Sequence, residues 1–126
     1  MTIISGPNVK KGIIDDIGSQ TDIFKTFLSL ANIRSEFNSI DSFDLSKTIK
    51  DGRPSMRKFI PYFVGSELRA FRYKDHKIHF VTQGAYNMPP PREVHENPLL
   101  YNLSNDIGEI RDCLLYTSDA ADEASS

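Results

Sequence analysis

Beyond residue 112 the chain carries little that can build a folded face, and this fixes how much of it a fold can use. Residues 113–123 read CLLYTSDAADE, and the chain ends on Ala124-Ser125-Ser126. Small and acidic residues after Leu115 cannot cover an apolar layer, so the stretch reads as a disordered terminus. The string from Cys113 to Glu123 also resembles a translated sequencing adapter of the transposase-fragmentation type. We therefore set 113–126 aside as a non-native tail and read what precedes it as a fragment without its natural C-terminus. The single cysteine, Cys113, lies inside that string. The remainder then has no thiol for a disulfide, for nucleophilic catalysis or for a cysteine metal site.

The 126 residues suffice for one domain with a modest core. A net charge of −2 and a pI near 5.9 come with basic residues scattered along the chain, which excludes the electrostatic footprint of a nucleic-acid binder. No apolar run approaches the roughly 20 residues a bilayer span needs. Met1-Thr2-Ile3-Ile4 leads straight into a Gly-Pro turn with no secretory leader. For a fragment this leaves the compartment unknown.

Hydrophobic spacing places the elements. Ile3-Ile4 reads as the end of a short buried strand running into the turn Ser5-Gly6-Pro7-Asn8, and Ile13 to Ile17 as a second extended piece. Thr21 is placed to cap a helix with Asp22 in its first turn. Ile23, Phe24, Phe27, Leu28 and Ala31 then recur at helical spacing, and Asn32 is a natural stop. Leu45 and Ile49 anchor one short helical turn. Phe59 to Val64 is extended, with Pro61 marking an edge strand or bulge. Leu68 to Phe71 and Ile78 to Val81 flank Tyr73-Lys74-Asp75-His76 as a β-hairpin. Met88-Pro89-Pro90-Pro91 makes a stiff loop, and Leu99-Leu100-Tyr101 supplies one more strand before the turn Asn105-Asp106-Ile107-Gly108. Phe24, Phe27, Phe59, Phe63 and Phe80 are the expected core.

Several stretches together resemble the sulfatase family, in its arylsulfatase branch. Ile4-Ser5-Gly6-Pro7-Asn8-Val9-Lys10-Lys11-Gly12 is similar to a proline–glycine loop late in the catalytic domain. Thr21 to Ile33 is similar to the helix that follows it. Asp41 to Leu45 resembles an Asp-Gly-x-Asp-Leu segment, with Ser42 where glycine is usual. The closest stretches are Leu68 to Arg72, Lys77 to Gly84, Pro98 to Asp106 and Gly108-Glu109. The resemblance implies an alkaline-phosphatase-like α/β fold. This chain would supply the last strand and helix of the catalytic domain (1–50) and a small C-terminal antiparallel sheet subdomain (51–112), followed by the tail 113–126. It further implies a parent enzyme that hydrolyses sulfate esters of small molecules, glycans or glycolipids, and a lysosomal or secreted location. That chemistry uses a formylglycine made within Cys/Ser-x-Pro-x-Arg and a calcium ion held by aspartates with an asparagine or glutamine. Neither motif is found here. The fragment is therefore expected to bind no cofactor, to contain no catalytic or metal residue, and to be inactive alone. The alternatives are a non-catalytic sulfatase-fold protein that binds anionic ligands, and a phosphate or phosphonate ester hydrolase of the same superfamily.

The candidate site residues follow from position. Strand side chains alternate faces, so His76 and His79, three apart, point to opposite sides and do not form a metal pair. Lys77 and His79 share a face and are candidates to neighbour an anion, against the plainer reading of a partly exposed strand with a snorkelling lysine. Gln83 opens a loop that, by the resemblance, approaches the substrate and places Asn87 where the family carries a histidine. Asparagine can donate to a sulfate oxygen but cannot transfer a proton at neutral pH, so the role is hydrogen bonding alone, or the loop has diverged and is a surface loop without function. Arg69 and Arg72 also face opposite ways, with a structural ion pair expected for at least one. Asp15-Asp16 reads as a solvated turn pair. Asn102-Leu103-Ser104 is an N-glycosylation sequon on a strand end.

Overall fold

A computed structural model describes residues 2–34 and 41–115, apart from the side chain of Asn87. The tail from 116 onward lies outside the described residues, as does 35–40. The chain divides into two compact units, Met1–Lys58 and Phe59–Ser126, so that the polar stretch 52–58 packs with the first of them.

The first unit holds α1 (Asp22–Leu30) and α2 (Ser46–Asp51). The α1 helix forms where the spacing predicts it, but its start is built differently. Thr21 already has helical backbone angles (φ −63°, ψ −24°) and makes no side-chain cap. Ser19 and Asp22 satisfy each other instead: the Ser19 N–H donates to Asp22 Oδ2 at 2.8 Å, and the Asp22 N–H donates to the Ser19 carbonyl at 2.9 Å. At the other end Asn32 adopts a left-handed backbone (φ 56°). The Ile33 N–H then reaches the Leu28 carbonyl at 2.9 Å, closing the helix as a stop residue should. Gly52 ends α2 in the same way (φ 67°).

The packing of α1 reverses the expected core. Asp22 and Thr26 are its buried residues, whereas Phe24 and Phe27 are 46% and 56% exposed. The polar stripe is the one that meets the rest of the unit. Thr26 Oγ1 accepts the Leu45 N–H at 3.0 Å, the Lys25 N–H donates to Ser42 Oγ at 3.4 Å, and the Ser29 and Ser46 hydroxyls lie 3.1 Å apart. Ser42, where glycine is usual, is thus a buried hydrogen-bonding residue. The apolar stripe instead lines an open groove of about 580 Å³ with Leu28, Ala31 and Ile33.

Two expected strands are not formed. Ile3–Ile4 and Ile13–Ile17 have no strand pairing, and Ile3 and Ile13 are 80% and 90% exposed. An isolated extended segment has no ladder to satisfy its backbone, so these runs stay irregular. Between them the Lys10 N–H bonds the Ile49 carbonyl at 3.1 Å, and Ser55 Oγ bonds the Ile17 carbonyl at 2.7 Å. Asp15 and Asp16 are exposed, and Asp16 accepts the Ser55 N–H at 3.3 Å.

The second unit is a four-stranded antiparallel meander in the order β1-β2-β3-β4. Its strands are β1 (Phe59–Val64), β2 (Glu67–Tyr73), β3 (His76–Thr82) and β4 (Glu93–Asn102). Pro61 does sit on an edge strand, just before a register shift at Tyr62/Phe63. The two-residue turn Lys74-Asp75 joins β2 to β3, with Lys74 at φ 52°. Strand β4 is longer than Leu99 to Tyr101, because after an irregularity it pairs again with Val81 and Thr82 through Val94 and Glu93. Ala70 and Val81 are buried here. Phe59 stacks on Phe71 at 5.8 Å, yet Phe59 and Phe63 remain 41% and 57% exposed and Phe80 half-buried, so these rings do not form an enclosed core either.

Candidate functional site

Register on β3 decides what the sheet presents. Lys77 lies opposite Tyr101 on β4 and Arg72 on β2, and His79 lies opposite Leu99 and Ala70. Lys77 and His79 therefore share a face, while His76 is exposed at the hairpin end. Both meet one carboxylate. Lys77 Nζ donates to Glu109 Oε1 at 2.6 Å, and His79 Nε2 lies 2.6 Å from Glu109 Oε2. The carboxylate is acceptor-only when ionised, so a neutral His79 must carry its proton on Nε2. The three side chains are only 17–26% exposed.

Aromatic rings flank the cluster. Lys77 Nζ sits 4.9 Å from the centre of the Tyr62 ring, a cation–π contact, and His79 meets Tyr101 edge-on at 5.7 Å. Burial followed by the Lys77 charge holds His79 below the ordinary histidine value, with Glu109 opposing both. Burial alone would raise Glu109, but its bonds to Lys77 and the charges of Lys77 and His79 bring it below the usual carboxylate value. Burial and the nearby carboxylates of Asp112, Glu109 and Asp106 push the Tyr101 hydroxyl up. The cluster is thus a clamp of one cation and one imidazole donor on a carboxylate that belongs to the chain.

The loop between β3 and β4 is the second feature. Gln83 Oε1 accepts from Arg69 Nη1 at 2.7 Å, and Arg69 also pairs with Glu67 at 2.8 Å. Arg72 donates to the Lys74 carbonyl instead. Ala85–Asn87 is a single 3₁₀ turn, and the loop closes through the Gly84 N–H to the Pro90 carbonyl at 2.8 Å. Gly84 is required for a steric reason. A Cβ there would stand 2.0 Å from the Met88 carbonyl oxygen. At the tip, Tyr86 has a left-handed backbone (φ 54°, ψ 36°) and is 98% exposed. The side chain of Asn87, the residue singled out from sequence, lies outside the described residues.

Sequence reasoning did not single out several participants. Glu109 is 30 positions from His79 and reaches it only because the chain folds back after β4. Thr82 Oγ1 and His95 Nε2, at 2.8 Å, join the strands near the mouth of the loop. In the first unit the Asp22–Arg57 pair is nearly fully buried, and no periodicity marks it. Asn102 caps the end of β4: its Oδ1 accepts both the N–H (3.1 Å) and the hydroxyl (2.7 Å) of Ser104. Among the described residues no three His, Cys, Asp or Glu side chains converge to hold a metal ion, and no helix is long and apolar enough to cross a membrane.

Comparison with known proteins bears on these features. Residues 55–122 match the family model for the C-terminal region of aryl-sulfatase. Arylsulfatase A of Homo sapiens is 29% identical over 117 residues, covering 81% of this chain and 23% of the relative. Arylsulfatase A of Bos taurus is 29% identical over an alignment of 132 residues, covering 93% and 26%. The chain thus spans about a quarter of the length of these curated relatives. Among solved structures, the PsFucS1 sulfatase of Pseudoalteromonas sp. superposes with a TM-score of 0.59 at 24% identity, over 73% of this chain and 20% of that one. A Bacteroides thetaiotaomicron structure described in terms of the metabolism of multiple glycosaminoglycans gives 0.54 at 22% identity, over 82% and 22%.

Proposed function

Because this chain belongs to the family of aryl-sulfatase C-terminal regions, we propose that the protein it comes from hydrolyses sulfate esters and that this segment completes the enzyme without carrying its reaction. The match across residues 55–122, which takes in the whole four-stranded sheet, carries the reading. Relatives named arylsulfatase A support the same reaction class. A fold neighbour described through glycosaminoglycan metabolism favours sulfated glycans among the possible esters.

A formylglycine and a calcium ion would supply the nucleophile and the charge compensation in such an enzyme. The residues of this chain do not fit either group. Cys113 is followed by Leu114-Leu115-Tyr116-Thr117, not by x-Pro-x-Arg, and the described carboxylates do not converge. No chemical step is assigned to this chain.

Its own side chains hold shape. Lys77 and His79 grip Glu109 and fix the segment after β4. Gly84 lets the loop after Gln83 close on itself, so that the loop projects Tyr86 and carries Asn87. We assign to Gln83 and Asn87 the approach to the sulfate ester in the complete enzyme, with hydrogen-bond donation from Asn87 in place of proton transfer.

The test is to read the source DNA upstream of Met1 codon by codon. An in-frame Cys-x-Pro-x-Arg or Ser-x-Pro-x-Arg is expected. An upstream region of sulfatase length without it would favour a non-catalytic binder of anionic ligands. A stop codon or an unrelated domain there would end the proposal.

A further inference from the structure

Among the described residues, the attachments of the segment after β4 to the sheet include two carboxylates, which titrate, beside the Leu103 N–H and bonds to Asn102 at the strand end. Glu109 carries two of the attachments, to Lys77 Nζ and His79 Nε2. Asp112 Oδ1 accepts the Leu100 N–H of β4 at 3.0 Å, and Asp112 is itself buried. The Leu103 N–H donates to the Asp75 carbonyl in the β2–β3 turn at 2.6 Å. Between these points the segment organises itself. Asp106 accepts the N–H groups of Ile110 and Arg111 at 2.9 and 2.8 Å. Glu109 has a left-handed backbone (φ 53°), a conformation that is unfavourable for a non-glycine residue and persists only where its surroundings hold it. Ile107 and Ile110 are more than 80% exposed, so apolar burial does little to retain them.

We propose that residues 103–112 form a strap fastened by the Glu109 clasp on Lys77 and His79, and that the strap opens on acidification while the β2–β3 hairpin stays paired. This goes beyond the sulfatase reading and does not depend on it.

The groups facing the clasp set its sign. From β3 come Lys77 and His79, from β4 Tyr101 and the nearby His95, from β1 the Tyr62 ring, and from the strap Asp106 and Asp112. Arg72 on β2 turns away to the Lys74 carbonyl. Lys77 stays beside His79 on β3 when the strap opens, so closure adds to His79 the Glu109 carboxylate, which favours the protonated ring, and further burial, which opposes it. Folding holds Glu109 below its ordinary 4.5. Its contribution is present above that value and is lost as pH falls through the lower folded value. Glu109 therefore sets the direction of the response. Protonating Glu109 removes the acceptor of both bonds at once.

Amide hydrogen exchange on the full 126-residue chain, corrected for intrinsic rates, reads the strap at Leu100, Leu103, Ile110 and Arg111 and the hairpin at β2 and β3. Between pH 7.5 and pH 3.5 the strap amides are expected to open about tenfold more, with the hairpin amides unchanged. Glu109→Gln is expected to open the strap already at pH 7.5. His79→Gln keeps an N–H donor that does not titrate, so it should stay closed at pH 7.5 and open at acid pH as Glu109 is protonated. Strap exchange that is independent of pH, or equal in Glu109→Gln and the parent chain, would overturn the proposal. So would hairpin and strap amides that lose protection together in every variant, because the strap would then not be a separately opening element.

Discussion

Arg57 and Asp22, 35 residues apart in the chain, meet as a two-point pair in the first unit. Nε and Nη2 of Arg57 each lie 2.6 Å from a different oxygen of the carboxylate. The same carboxylate accepts the backbone N–H groups of Ser19 and Phe43, Arg57 also donates to the Asp41 carbonyl at 2.9 Å, and its guanidinium lies over the Phe43 ring at 4.7 Å. Every oxygen lone pair that burial strips of water has a donor, which is the condition under which such a pair survives. Removing one partner leaves the other charge buried. Arg57→Ala is expected to cost about 3–5 kcal/mol in urea unfolding followed by circular dichroism. Burial would raise Asp22, but Arg57 and the two backbone donors hold it below its ordinary 3.8. Its stabilising share is therefore present above that value and is lost as pH falls through the lower folded value. Gly84 acts by size alone. Gly84→Ala must push the loop open to clear the Met88 carbonyl and is expected to cost about 1–3 kcal/mol, read in the same unfolding experiment.

At the scale of elements, the sheet was legible because its signals are local. The Lys74-Asp75 turn, the Pro61 edge strand and the shared face of Lys77 and His79 all follow from a period of two and from turn chemistry. Helix α1 was legible as a helix but not in its orientation. A 3.6-residue period separates an apolar stripe from a polar one without saying which stripe this chain covers. Here Asp22, Thr26 and Ser29 hold the polar stripe to the 41–46 segment by hydrogen bonds, and Ile23 and Phe27 face outward. The Glu109 clasp was not legible because its partners are far apart in sequence, and a glutamate after a Gly turn carries no periodic signal. An outward apolar stripe of this kind drives association in water. The double variant Ile23→Ser, Phe27→Ser is expected to shift the chain toward monomer in sedimentation velocity while changing unfolding stability by no more than about 0.5 kcal/mol, as for exposed positions. A chain that is monomeric without these substitutions would contradict this.

The whole molecule is two small units with few buried apolar side chains among the described residues: Ile49 in the first, Ala70 and Val81 in the second. The large rings expected to fill a core lie partly or mostly exposed. The chain spans about a quarter of the length of its arylsulfatase relatives. The most direct measurement is sulfate release from an aryl sulfate ester and from a sulfated glycan, comparing the 126-residue chain with the product of the complete reading frame. The account predicts release by the complete product and none by this chain. Release by the 126 residues alone, or by neither protein although both are folded, would contradict it.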